Sequence, residues 1–365
     1  MPGGYDERTS KENELASQRE ADSLPIQISS TESPVLGKES QKFTIPTPLE
    51  VELPARPAFG IAFDPSGDVL YIAAGMNVLA LKHPTLDVKY GFKCHNGDIN
   101  GLAIDGARAR IATAAADEAV RVWSLDDWSR VKMNASALQR DRELPSPAMP
   151  SRVLEIDGQN GVVCCVAFSP STNVVATCST DSTVAVWNSD DGDQIYRFDE
   201  HEGAVLSLDF SRSGRWLATA GSDSTIRVWD VNSGALAYEL SGHVGYVNQV
   251  KFAGDDILVS GGDDSTARIW SLDGEDYRSL ISVHPDHVDA IAIDFKNDRA
   301  LSLCADGLIQ LHSLNEFRTV GEVRLRVSYA EAAAFSPCGE YVAICNNYGD
   351  LYLCDLGQMK LLDQE

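Results

Sequence analysis

Runs of apolar residues alternating with polar ones at every second position recur along most of this chain. Each is just long enough for one strand, and Gly, Asp, Ser and Asn cluster between them. The run from His201 shows the unit best. VLSLDF is followed by a turn and then by LATAGSDSTIRVWD, two period-2 segments joined by a tight Asp-containing turn. The pattern predicts short antiparallel strands in hairpins. One stretch departs from it: DDWSRVKMNASALQRDREL places Trp128, Val131, Ala135 and Leu138 at helical spacing, with Asp126 or Asp127 as N-cap, before a Pro-rich return, PSPAMPS.

Polar residues recur in register with the strands. His201, Thr219, Asp223 and Trp229 find counterparts in His243, Ser260, Asp264 and Trp270, and in His95, Thr113, Asp117 and Trp123. Weaker copies are Gln159, Thr177, Asp181 and Trp187, then His284, Ser302, Asp306 and His312, with Gln for the first His in one and His for Trp in the other. Two further copies keep only the strands, FGIAFDPSGDVLYIAAG from Phe59 and AAAFSPCGEYVAICNNYGDLYLCDL from Ala332. A spacing of about 40 to 45 residues with this content resembles the WD40 repeat. The resemblance implies an all-β, seven-bladed propeller of four-stranded antiparallel blades over residues 45–365, with an insertion at 126–152 between strands of blade 2. It also implies that the His, Ser/Thr, Asp and Trp positions form a hydrogen-bonded tetrad within each blade.

Residues 1–44 are polar, poor in aromatics and without sustained periodicity, so a disordered tail is expected, with Ser33 before Pro34 as a possible phosphorylation site. LEVEL, from Leu49, stands before the first inner strand as VLEI stands before VVCCVAF. It is therefore expected to pair onto the last blade and close the ring, with MKLLD near the C-terminus as the competing closer.

The formal charge of -24, from 54 acidic and 30 basic residues, argues against nucleic acid as the primary ligand and favours basic protein partners. No stretch is apolar enough for a membrane span, and the N-terminus does not read as a secretory signal. The eight cysteines lack C-x-x-C spacing and occupy strand positions, which points to a reducing compartment, cytoplasm or nucleus. The sequon at Asn134 is then a chance match.

A hydroxyl, an imidazole and a carboxylate could make a hydrolase triad, but the set recurs in blade after blade and no G-x-S-x-G elbow accompanies it. No phosphate loop or HExxH occurs, NSDDGDQ lacks a calcium loop's closing Glu, and His287 is the only histidine of its region outside the repeat template. No catalytic residue, metal or cofactor is expected. The resemblance implies a non-catalytic interaction scaffold, a monomeric propeller within a larger intracellular complex. The alternatives are a reader of basic or modified peptide tails and an enzyme using the channel. Positions beside the tetrads then become the candidate binding residues: Asn96, Asp98, Glu202, Tyr246, Asp263, His287 and Tyr329.

Overall fold

The computed structural model describes residues 26–29, 41–44, 49–53, 57–125, 154–156, 158–273, 279–325, 329–356 and 360–361. They form seven antiparallel sheets arranged as a ring. Blade 4 is typical: Val205–Phe210 lies innermost, then Trp216–Gly221, Thr225–Asp230 and, outermost, Ala235–Ser241. Second strands such as Trp216–Gly221 are buried along nearly their whole length, because a neighbouring blade covers each face. Outer strands such as Gln194–Phe198 of blade 3 are mostly exposed. Burial peaks at the second strand, since the innermost strand lines the channel and the outermost faces solvent, which is why the second strands read as nearly continuous apolar runs and the outer ones as mixed.

The core is a set of layers between blades. Leu70, Ile72, Leu79 and Leu81 of blade 1 pack against Ala343, Cys345, Leu351 and Leu353 of blade 7. Phe252 and Trp270 of blade 5 pack against Ile226 and Val228 of blade 4. No blade could bury these faces alone, so the ring is the folding unit.

Blade 7 is built from both ends of the sequence. Leu49–Glu52 pairs antiparallel with Asp350–Asp355, in the register Leu49 to Leu353 and Glu52 to Asp350. LEVEL thus closes the ring. Lys360–Leu361, from MKLLD, instead pairs with Thr44 and Phe43 at the outer edge of blade 6. Two tail segments are strands rather than structureless chain. Ile26–Ser29 runs parallel to Tyr238–Ser241 on blade 4, and Gln41–Thr44 lies beside Arg318–Arg324 on blade 6. The outermost strand of a blade offers unpaired backbone groups, and a nearby extended segment satisfies them. The insertion falls between Val120–Ser124 and Leu154–Ile156 of blade 2. Its expected helix and sequon, like Ser33, lie outside the described residues.

Candidate protein-interaction face

Three blades contain the complete tetrad. In blade 4, His201 Nδ1 donates to Asp223 at 2.8 Å, the Thr219 hydroxyl lies 2.8 Å from His201 Nε2, and Trp229 Nε1 donates to Thr219 at 3.0 Å. Blade 5 repeats this with His243, Asp264, Ser260 and Trp270, and blade 2 with His95, Asp117, Thr113 and Trp123. Burial by itself would raise the carboxyl pKa of Asp117, Asp223 and Asp264. Hydrogen bonds from the histidine and neighbouring donors reverse this and hold all three well below the usual carboxylate range. Thr219 is fully buried and bonded to both its neighbours, so no substrate reaches this hydroxyl–imidazole–carboxylate set.

An arginine completes each of these networks. Arg121, Arg227 and Arg268 reach the tetrad Asp four residues earlier, at 3.2, 2.7 and 3.3 Å. The recurrent VRVW, IRVW and ARIW carried that signal, but the arginines' alternation with apolar residues made them look like outward strand positions.

The two weaker copies are not continuous tetrads. In blade 3, Trp187 donates to Thr177 at 2.9 Å, but Gln159 turns to Thr183, which in turn bonds Asp181. In blade 6, Ser302 bridges His284 and His312, while Asp306 stays with Leu308 N, Cys304 and Arg324. His284 Nδ1 is left buried without a partner. The sequence explains the break. In blades 2, 3, 4 and 5 the residue after the His or Gln donates its backbone N–H to the tetrad Asp, from Asn96, Asn160, Glu202 and Val244. Blade 6 has Pro285 there, which has no N–H to donate. Gln310 also replaces the arginine.

The networks hold a ring of loops on one face, here the upper face. In each of the seven blades, a turn N–H donates to the carbonyl of the residue just before the inner strand. The acceptors are Pro57, Asp98, Val162, Ala204, Tyr246, His287 and Tyr329. Two residues on, Phe59, Asn100, Cys164, Leu206, Asn248, Asp289 and Glu331 line a channel cavity of about 440 Å³. This second ring is lopsided, because both its acids come from blades 6 and 7.

Tyr246, His287 and Tyr329, three of the sequence candidates, therefore stand at the channel mouth beside these acids. Asn248 Nδ2 donates to Asp263 at 2.9 Å and to Asp289 at 3.4 Å, and His287 Nε2 lies 3.5 Å from Asp289. Tyr329 packs edge-on against Tyr348, and Val244, Tyr246, Tyr329 and Tyr348 are all exposed. Asp98 belongs to the same ring in blade 2, while Asn96 and Glu202 lie further out, exposed, in blades 2 and 4. Burial, reinforced by Glu331, Asp263 and Asp286 and opposed by His287, pushes Asp289 up to about 7. Burial also raises Glu331. Arg197 and Arg324 pair with Asp181 and Asp306, and Lys251, deeper in the channel, faces Asp209 at 3.5 Å.

The other features singled out in the sequence are structural. NSDDGDQ is a hairpin turn whose Asp190 accepts a 2.9 Å bond from Arg110 of blade 2. Among the described residues, no group of three or more His, Cys, Asp or Glu is placed to hold a metal ion, and no helix is long and apolar enough to cross a membrane.

A closed ring of seven four-stranded blades around a channel defines a β-propeller. Its sequence matches the family model of the WD domain, G-beta repeat, over residues 87–124, 150–188, 192–230 and 234–271. The chain thus carries four WD40 repeats within a seven-bladed propeller. It is similar to Striatin-4 of Homo sapiens, 29% identical over 113 residues, 30% of this chain and 14% of that protein. Apoptotic protease-activating factor 1 of Rattus norvegicus is 30% identical over 109 residues, covering 30% of this chain and 7% of the relative. WD repeat, SAM and U-box domain-containing protein 1 of Gallus gallus is 31% identical over 99 residues, 27% of this chain and 16% of the relative. The matches thus span only a small part of each relative's length.

Proposed function

We propose that this propeller is a non-catalytic interaction scaffold, acting within a larger assembly in a reducing compartment, and that its upper channel mouth takes a basic peptide segment. The observation that carries the reading is the half-buried pair Asp289 and Glu331, both raised in pKa, beneath exposed Tyr246 and Tyr329. Buried carboxylates crowded by like charge gain most from an incoming cation, and the tyrosines supply aromatic anchors around it. The net charge draws basic partners toward the whole surface. The WD-repeat relatives and the eight free cysteines agree with this setting.

Fluorescence anisotropy with unstructured peptides carrying one Arg or Lys among neutral residues, and with their Glu counterparts, tests the proposal. Basic peptides should bind preferentially and more weakly as salt rises, and should lose affinity in Tyr246→Ala and in the double variant Asp289→Asn/Glu331→Gln. Binding should strengthen from pH 6 to pH 8, because the ionised form of Asp289 is the one that attracts the cation. Equal binding of acidic peptides, or undiminished binding by the double variant, would refute it.

A further inference from the structure

Two adjacent cysteines on the inner strand of blade 3 differ in their surroundings. The register of Val163–Phe168 against Val174–Ser179 shifts between Val163 and Cys165, leaving Cys164 as the extra residue and setting Cys165 directly opposite Cys178. The Cys165 thiol donates to the Leu208 carbonyl at 3.8 Å, and the neighbouring Cys178 thiol is the strongest influence holding its pKa down. Cys165 lines the central cavity, whereas Cys178 is wholly buried behind it in the layer between blades 3 and 4. Lys251, from blade 5, lines the same cavity and acts on Cys165 as a nearby positive charge.

We propose that Cys165 and Cys178 are a peroxide-responsive thiol pair, oxidised through the channel to an intrachain disulfide. The Cys165 thiolate attacks one peroxide oxygen, forming an S–O bond as the O–O bond breaks, and water leaves once the departing oxygen takes up a proton. Cys178, losing its proton, then attacks the sulfenic sulfur. The S–S bond forms as the S–O bond breaks, and a second water departs. The two thiols are oxidised by two electrons and the peroxide is reduced to two waters.

Three features favour this order of events. Directly opposed residues on antiparallel strands lie within disulfide reach. The neighbouring Cys178 thiol and the Lys251 ammonium lower the Cys165 pKa against the effect of burial, while burial raises that of Cys178. Cys164, one residue away, is pushed by burial up to about 12, and the charges of Cys165 and Asp181 add to that shift. The attacking thiol is therefore the one with access, and the resolving thiol is the one without.

The test treats reduced full-length protein with a few equivalents of hydrogen peroxide, blocks remaining thiols with an alkylating agent and maps peptides by mass spectrometry without reduction. The expected product is a Cys165–Cys178 linkage that dithiothreitol reverses. In Cys178→Ala, Cys165 should accumulate as a sulfenic acid trapped by dimedone, and Cys165→Ala should abolish both products. Lys251→Met combined with Asp209→Asn should slow the reaction at about pH 5, where the thiolate is the minor form, by roughly tenfold for each unit that the Cys165 pKa rises. Circular dichroism checks that each variant is folded, and the linkage map of the wild-type protein decides the matter by itself if one is not. A Cys164–Cys178 linkage, or oxidation of Cys338 while Cys165 stays reduced, would overturn the proposal.

Discussion

Asp223→Ala should be among the most damaging single polar changes in this propeller, and the same change at Asp306 should be mild. Asp223 accepts bonds from His201 Nδ1 at 2.8 Å, Glu202 N at 3.1 Å, Thr225 Oγ1 at 2.8 Å and Arg227 Nη1 at 2.7 Å. Truncation leaves the His201 N–H without its acceptor and takes the nearest carboxylate from Arg227, which keeps Glu239 at 3.5 Å and the Thr225 hydroxyl, in a pocket where both side chains are under a tenth exposed. Breaking a buried charged network at one member costs about 3 to 5 kcal/mol. Asp306 bonds Leu308 N and Cys304 and pairs with an Arg324 that is 56% exposed, while His284 is already without it. Its loss should cost about 1 kcal/mol. Urea unfolding followed by tryptophan fluorescence would read both, since Trp229 stacks on Phe198 at 4.2 Å beside the first network. Equal midpoint shifts for the two variants would refute the claim that the networks, rather than the repeated aspartates themselves, hold the blades.

Acid should weaken the fold well above the carboxylate range. Burial lowers His284 to about 4 and His312 to about 3. Their unfolded values lie near about 6.5, so the unfolded chain binds protons first and stability falls from that pH down to the folded values. The depressed Asp117, Asp223 and Asp264 add a further loss at lower pH, and a urea midpoint unchanged between pH 7 and pH 5 would contradict the histidine part. Leu53, 4% exposed between blades 7 and 1, should cost about 2 to 4 kcal/mol when changed to Ala. Deleting residues 45–54 should lower the melting temperature further, and an unchanged melt would mean that closure does not need this strand.

The ring was legible because its signal is repeated. Strand alternation and the His-to-Trp spacing each appear often enough to give the blade count, and LEVEL could be placed by comparison with VLEI. What escaped depends on single residues. Pro285 reads as an ordinary loop proline, yet the N–H it lacks explains why Asp306 is not held at the tetrad. Asp289 and Glu331 sit inside the apolar runs HVDAIAID and YAEAAAF, where one acid looks like a solvated strand position. Only alignment by blade shows that they share a ring with Phe59 and Leu206, which makes them channel residues. The arginines were hidden by the same alternation that revealed the strands.

The pairing of Leu49–Glu52 with Asp350–Asp355 also sets a schedule for making the protein. The ribosome delivers the closing strand before any complete blade and its partner only after the other blades have emerged. Until then, the flank of blade 1 with Leu70, Ile72, Leu79 and Leu81 has no neighbour to cover it. The nascent chain therefore carries an open apolar edge through nearly all of its synthesis, which makes it a natural client for chaperones.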